Sequence, residues 1–89
     1  MIMITKRNIK KHELIGLETF VLVSKNKTQE KLKGKVVDET QKTLKIETSD
    51  GEKTVAKKGS VFRFNIPGNT VDVHGDEINM KPEERVRKG

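Results

Sequence analysis

From Leu17 onward the chain alternates between apolar and polar positions, the period of a half-buried strand. LETFVLVS (17–24) sets Phe20 and Leu22 on one face and Thr19, Val21 and Val23 on the other. LKGKVVD (32–38) alternates Leu32, Gly34 and Val36 with Lys33, Lys35 and Val37. TLKIET (43–48) continues the pattern through Leu44 and Ile46. EKTVAK (52–57) is a weaker strand around Val55, and VFRFNI (61–66) places Phe62, Phe64 and Ile66 together. TVDVH (70–74) and EINM (77–80) complete the series. Between them lie KNKTQEK (25–31), SDG (49–51), KGS (58–60), PGN (67–69) and GD (75–76), polar or glycine-bearing segments that read as loops and turns. Gly34, inside a strand pattern, marks a bulge or a sharp bend.

The ends read differently. Thr5–Ile15 has the spacing of a short helix, with Thr5 or Asn8 as its cap and Gly16 at its end. Ile9 and His12 share one face of it. A helix this short needs a docking surface. Pro82 opens a second helix, where its missing N–H costs nothing, and Glu83 and Glu84 precede Arg85, Arg87 and Lys88 in the order the helix dipole favours.

Five to seven short strands joined by tight turns predict a mainly β protein, a small antiparallel barrel flanked by terminal helices. The expected division is a basic N-terminal arm (1–16), the barrel (17–80) and a basic C-terminal helix (81–89). One domain is all that 89 residues allow, and its core is modest. With no cysteine, neither disulfides nor a thiolate metal site can reinforce it. The start MIMITKR carries no leader-like apolar stretch, and no apolar run approaches the roughly 20 residues of a membrane span. A cytoplasmic protein with no membrane partner is expected.

Charge sharpens the picture. Of a net +6, residues 1–15 hold +3 (Lys6, Arg7, Lys10 and Lys11 against Glu13), and residues 81–89 hold +2 (Lys81, Arg85, Arg87 and Lys88 against Glu83 and Glu84). A nearly neutral body with basic ends points to a polyanion, with solubilising charge as the bland alternative. Lys57, Lys58 and Arg63 add a basic patch on the body. The candidate nucleic-acid contacts are therefore Lys6, Arg7, Lys10, Lys11, Lys57, Lys58, Arg63, Arg85, Arg87 and Lys88.

No catalytic constellation emerges. Asp38 and Glu39 are a carboxylate pair of the kind that binds a hard cation or moves protons. They stand, however, in DETQKT, between two strands, where Asp favours a turn, with Lys35 and Lys42 close by in sequence. His12 and His74, the only histidines, show no zinc-ligand spacing. The three phenylalanines all sit on apolar stripes and are expected in the core, so stacking on exposed rings is not expected and contacts should run through phosphates. No metal site and no catalytic residue are expected in this chain.

Four segments, KKHELIGLETFVLVSKN (10–26), LKGKVVDETQKTLKIET (32–48), KKGSVFRFNIP (57–67) and VHGDEINMKPEERVRK (73–88), together resemble the archaeal ribonuclease P protein component 1 family. HELIG, G-x-VVDET-x-x-TL and VFRF carry the likeness. The resemblance implies a twisted antiparallel barrel of the Sm-like type. It also implies a subunit of the ribonucleoprotein that removes the 5′ leader of precursor tRNA. In that family the RNA subunit carries catalysis with Mg²⁺, and the protein pairs with a zinc-ribbon subunit on the ribonuclease P RNA, among other ribonuclease P proteins, contacting precursor tRNA indirectly. Ile9, His12, Leu14 and Ile15 are then the expected contacts to the partner protein. Three other readings make different predictions: another small RNA-binding barrel of ribosomal or Sm-like type, a protein–protein adaptor, and a metal nuclease built on Asp38, Glu39, His74 and Asp76.

Overall fold

The computed structural model describes Ile9 and residues 13–87, the side chains of 86 and 87 excepted. Six antiparallel strands form one sheet: β1 (Glu18–Val23), β2 (Lys33–Glu39), β3 (Thr43–Thr48), β4 (Gly51–Ala56), β5 (Val61–Ile66) and β6 (Asn69–His74). Their order across the sheet is β4-β3-β2-β1-β5-β6. Five of the elements are those that the two-residue period predicts, to within a residue or two at each end, and β4 is the weak strand around Val55.

The sheet is curled into a barrel, and its connections require it. In a flat sheet β4 and β5 would stand four strand spacings apart, about 19 Å. Residues 57–60 join them, and this segment is itself folded into a turn, with Ser60 N–H donating to Lys57 O at 3.1 Å and Ser60 Oγ to Ala56 O at 2.7 Å. So compact a link brings the two strands together only if the sheet closes on itself. The β1–β2 loop helps fill the seam: Gln29 Nε2 donates to Thr54 O on edge strand β4 at 2.8 Å. Val55 of β4 and Val73 of β6, from the two ends of the strand order, accordingly lie in one buried cluster with Ile9, Leu14, Val21, Val36, Leu44, Ile46, Phe62, Phe64, Ile66 and Ile78.

Closure demands two close backbone approaches. A Cβ on Gly34 would lie 1.9 Å from Glu47 O, and one on Gly75 would lie 1.7 Å from Lys57 O. Gly34 is thus the crowded point where β2 crosses its neighbour. The bulge foreseen there falls three residues later, where pairing slips between Val36↔Ile46 and Asp38↔Lys45. A second slip lies in β1 between Val21 and Val23. Each slip exchanges the two faces of the strand beyond it.

EINM (77–80), expected as a last strand, is not one. Gly75–Ile78 forms a 3-10 turn, in which His74 N–H donates to Glu77 Oε1 at 3.2 Å and Ile78 enters the core. A side chain reaching back to the strand end favours a tight turn over further extension. Helix α1 (Pro82–Arg87) follows, opened by Pro82 as the sequence predicts. Most of the N-terminal helix predicted over Thr5–Ile15 lies outside the described residues. Within them, Glu13 and Leu14 are irregular. Ile15 and Gly16 form a turn closed by Leu17 N–H on Leu14 O at 3.1 Å, and Gly16 N–H donates to Val36 O at 2.7 Å.

Candidate nucleic-acid interface

The acidic pair in DETQKT is split by the bulge in β2. Before it, inward positions are even-numbered and Val36 is buried; after it they are odd-numbered, so Asp38 faces solvent and Glu39 turns inward. Glu39 is therefore not a turn residue. The turn is 40–42, and it is held by a hydroxyl pair between Thr40 and Thr43 at 2.7 Å. Glu39 Oε2 accepts from Lys57 Nζ at 2.8 Å, and both its oxygens accept from Arg85 Nη2, at 2.6 and 2.8 Å. Lys57 Nζ also donates to Thr40 O at 2.8 Å and Met80 O at 3.2 Å. Lys57 is fully buried and Arg85 is 3% exposed.

This corrects two expected RNA contacts. Lys57 and Arg85 are structural cations inside the protein, and their partner is Glu39 rather than a phosphate. Burial pushes the Lys57 ammonium below its ordinary range against the pull of Glu39, and the neighbouring Arg85 charge pushes it further down. Nothing in the local spacing announces the triad, whose members come from β2, the β4–β5 turn and α1.

The remaining body cations are at the surface. Lys58 is exposed beside the buried Lys57. The side chain of Lys25, a residue the charge reading passed over, runs along the same turn: a Cβ on Gly59 would meet Lys25 Cε at 2.6 Å. Lys25 and Lys58 thus flank one feature. Arg63 faces outward as expected, but it is engaged by Asp72 directly across β6, Nε to Oδ1 at 2.8 Å and Nη2 to Oδ2 at 3.2 Å. That carboxylate holds the guanidinium above its ordinary range. Lys6, Arg7, Lys10, Lys11, His12 and Lys88 lie outside the described residues, as does the Arg87 side chain.

Two expected partner contacts are also corrected. Ile9 is completely buried and Leu14 is 1% exposed, both in the barrel's own core. Ile15 remains at the surface, 43% exposed, as does Val23 on the bulged end of β1.

Phe62 and Phe64 are core residues, with ring centroids 6.1 Å apart. Phe20 is not. Thr19 and Val21 are the inward residues of β1, which leaves Phe20 half-buried on the opposite face. There it lines an open groove of about 510 Å³. Among the described residues no three of His, Asp and Glu converge as metal ligands, and no helix is long and apolar enough to cross a membrane.

The family model for ribonuclease P/MRP, subunit p29, matches residues 7–88. The chain belongs to that family. It is 48% identical over 87 residues to ribonuclease P protein component 1 of Methanocaldococcus jannaschii, an alignment covering 97% of this chain and 92% of the relative. To the protein of the same name from Methanothermobacter thermautotrophicus it is 44% identical over 88 residues, 97% of this chain and 95% of the relative. A solved structure of Mth11, described as a homologue of human RNase P protein Rpp29, aligns with a TM-score of 0.62 and 45% identity, covering 83% of this chain and 97% of that one. The chain is therefore a protein component of ribonuclease P with a mainly β, barrel-like fold.

Proposed function

We propose that this subunit binds the ribonuclease P RNA through backbone phosphates, together with a zinc-ribbon protein subunit, in the cytoplasmic enzyme that removes the 5′ leader of precursor tRNA. Family membership across residues 7–88 carries the proposal. The charge distribution supports it, since residues 1–15 alone hold +3 of the net +6. Catalysis belongs to the RNA subunit and its Mg²⁺ in this reading. The protein's part is to neutralise phosphates with Lys6, Arg7, Lys10, Lys11, Lys58, Arg87 and Lys88, and with Lys25 on the barrel. Ile15 is the residue offered to the partner protein, and His12 a second candidate.

The test is the salt dependence of binding to ribonuclease P RNA. Neutralising about five phosphates gives a log–log slope of roughly −4 to −5. A flat response would overturn the proposal. Reversal of Lys6, Arg7, Lys10 and Lys11 to Glu should weaken assembly and leave the barrel folded. Binding to a zinc-ribbon subunit with no affinity for RNA would identify an adaptor instead.

A further inference from the structure

We propose that the groove floored by Phe20 is a stacking site for an unpaired nucleobase of the bound RNA, a proposal that rests on the RNA-binding reading above. β1 buries Thr19 and Val21, and Thr19 Oγ1 is fixed by Arg63 O at 3.1 Å, so the face that Phe20 occupies is settled. In the ladder Phe20 stands directly opposite Lys33 on β2 and Arg63 on β5. Directly opposed residues share a face of the sheet, so one aromatic ring lies between two cations in a single row. Glu18, Glu47 and Asn65 line the same groove.

That composition selects among ligands. Asp72 already neutralises Arg63, which leaves Glu18 and Glu47 against Lys33, a lining that suits a ligand with hydrogen-bond donors better than a lone phosphate. An apolar side chain from a protein would bury Glu18, Glu47 and Lys33 without offering them partners, at a large cost. A nucleobase suits both parts: its flat face stacks on the ring, and its polar edge exchanges hydrogen bonds with carboxylates and an amide. Glu18 and Glu47 accept from exocyclic amino groups, which favours adenine, cytosine or guanine over uracil. Lys33 is placed to meet the adjoining phosphate. The groove's volume of about 510 Å³ accommodates a nucleotide.

The experiment titrates isotope-labelled full-length protein with single-stranded octa-adenylate and with an abasic octamer carrying the same phosphates, followed by amide chemical shifts. Octa-adenylate is expected to perturb Phe20, Lys33 and Arg63 and to bind about fivefold to a hundredfold more tightly than the abasic strand. Phe20→Leu keeps apolar bulk without the ring; it should erase that margin and leave the salt slope intact. Equal affinity for the two strands, absence of octa-adenylate binding, or an undiminished margin in Phe20→Leu would each overturn the base site. If ribonuclease P RNA is still bound with the full salt slope, only this inference falls. A flat slope on that RNA removes the underlying reading as well.

Discussion

Glu39 and Arg85, 46 positions apart in sequence, meet in the interior through contacts of 2.6 and 2.8 Å from one guanidinium nitrogen to both carboxylate oxygens. The contact fastens α1 to the end of β2, and Lys57 completes it from the β4–β5 turn. Two cations and one anion are therefore enclosed together. Desolvating three charges is expensive, and the arrangement is tolerable only while each has its partners.

Removing the anion should be the most damaging single change. Glu39→Ala strands two buried cations and is expected to cost about 3–5 kcal/mol. Chemical denaturation monitored by circular dichroism measures it. A loss below about 1 kcal/mol would show the triad to be hydrated in solution.

Replacing all three charges should be gentler than removing one. Glu39→Leu, Lys57→Met and Arg85→Met together remove the desolvation cost along with the attraction, as apolar replacements of buried ion networks often do. The triple variant is expected to be more stable than Glu39→Ala by about 3 kcal/mol or more. Additive losses across the three sites would contradict strong coupling among them.

The triad also explains where the sequence misleads. Most strand periods and turn positions and the Pro82 helix start are local properties and were readable, whereas EINM misled because a tight turn stands where its alternation predicts a strand. The faces of β2 and β1 were not readable, because a single extra residue near Val37 and another near Leu22 exchange inside for outside. Glu39 then looks like a turn residue, while Phe20, which precedes the slip in β1, looks like a core residue because both faces of that strand carry apolar side chains. Lys57 and Arg85 look like any other cations in a basic protein, since their burial depends on residues brought together from three distant segments. Ile9 and Leu14 look like partner contacts because the basic segment around them hides that the barrel itself covers them.

Lys57 gives the triad a pH signature. Burial lowers its folded-state pKa below the ordinary value of 10.5, so between the two values the unfolded chain holds more protons than the folded one. Unfolding free energy therefore rises with pH through that window and is lowest below it. The stability of the wild type minus that of Lys57→Met should increase as pH is raised from neutrality toward 10.5. A difference that stays level or falls would place the ammonium in an environment no poorer than water.

Barrel closure predicts a sharp distinction among glycines. Gly34→Ala and Gly75→Ala set a methyl group against backbone carbonyls, at 1.9 and 1.7 Å before any relaxation. Neither carbonyl can move without shifting its strand or turn, so each change should cost at least the roughly 1–3 kcal/mol of an overpacked core. Gly68→Ala meets no atom within 4 Å and bears only the strain of its φ of +76°. Its cost should stay at about 1–2 kcal/mol. Thermal unfolding of the three variants ranks them directly, and equal losses would mean the sheet does not close as described.

Lys57 and Lys58 are neighbours in sequence with opposite assignments, one inside the triad and one exposed beside Lys25. Lys58→Ala should leave the unfolding midpoint unchanged. If Lys58 meets a phosphate, the substitution should reduce the salt slope of RNA binding by about 0.7–0.9, the share of one phosphate contact. Lys57→Ala should do the reverse: it should lower stability by leaving Glu39 short of a donor, and leave the slope of the still-folded fraction as it was. Measuring both quantities on both variants separates charge that supports the fold from charge that contacts RNA. A smaller slope for Lys57→Ala in folded protein would return that residue to the RNA-binding surface.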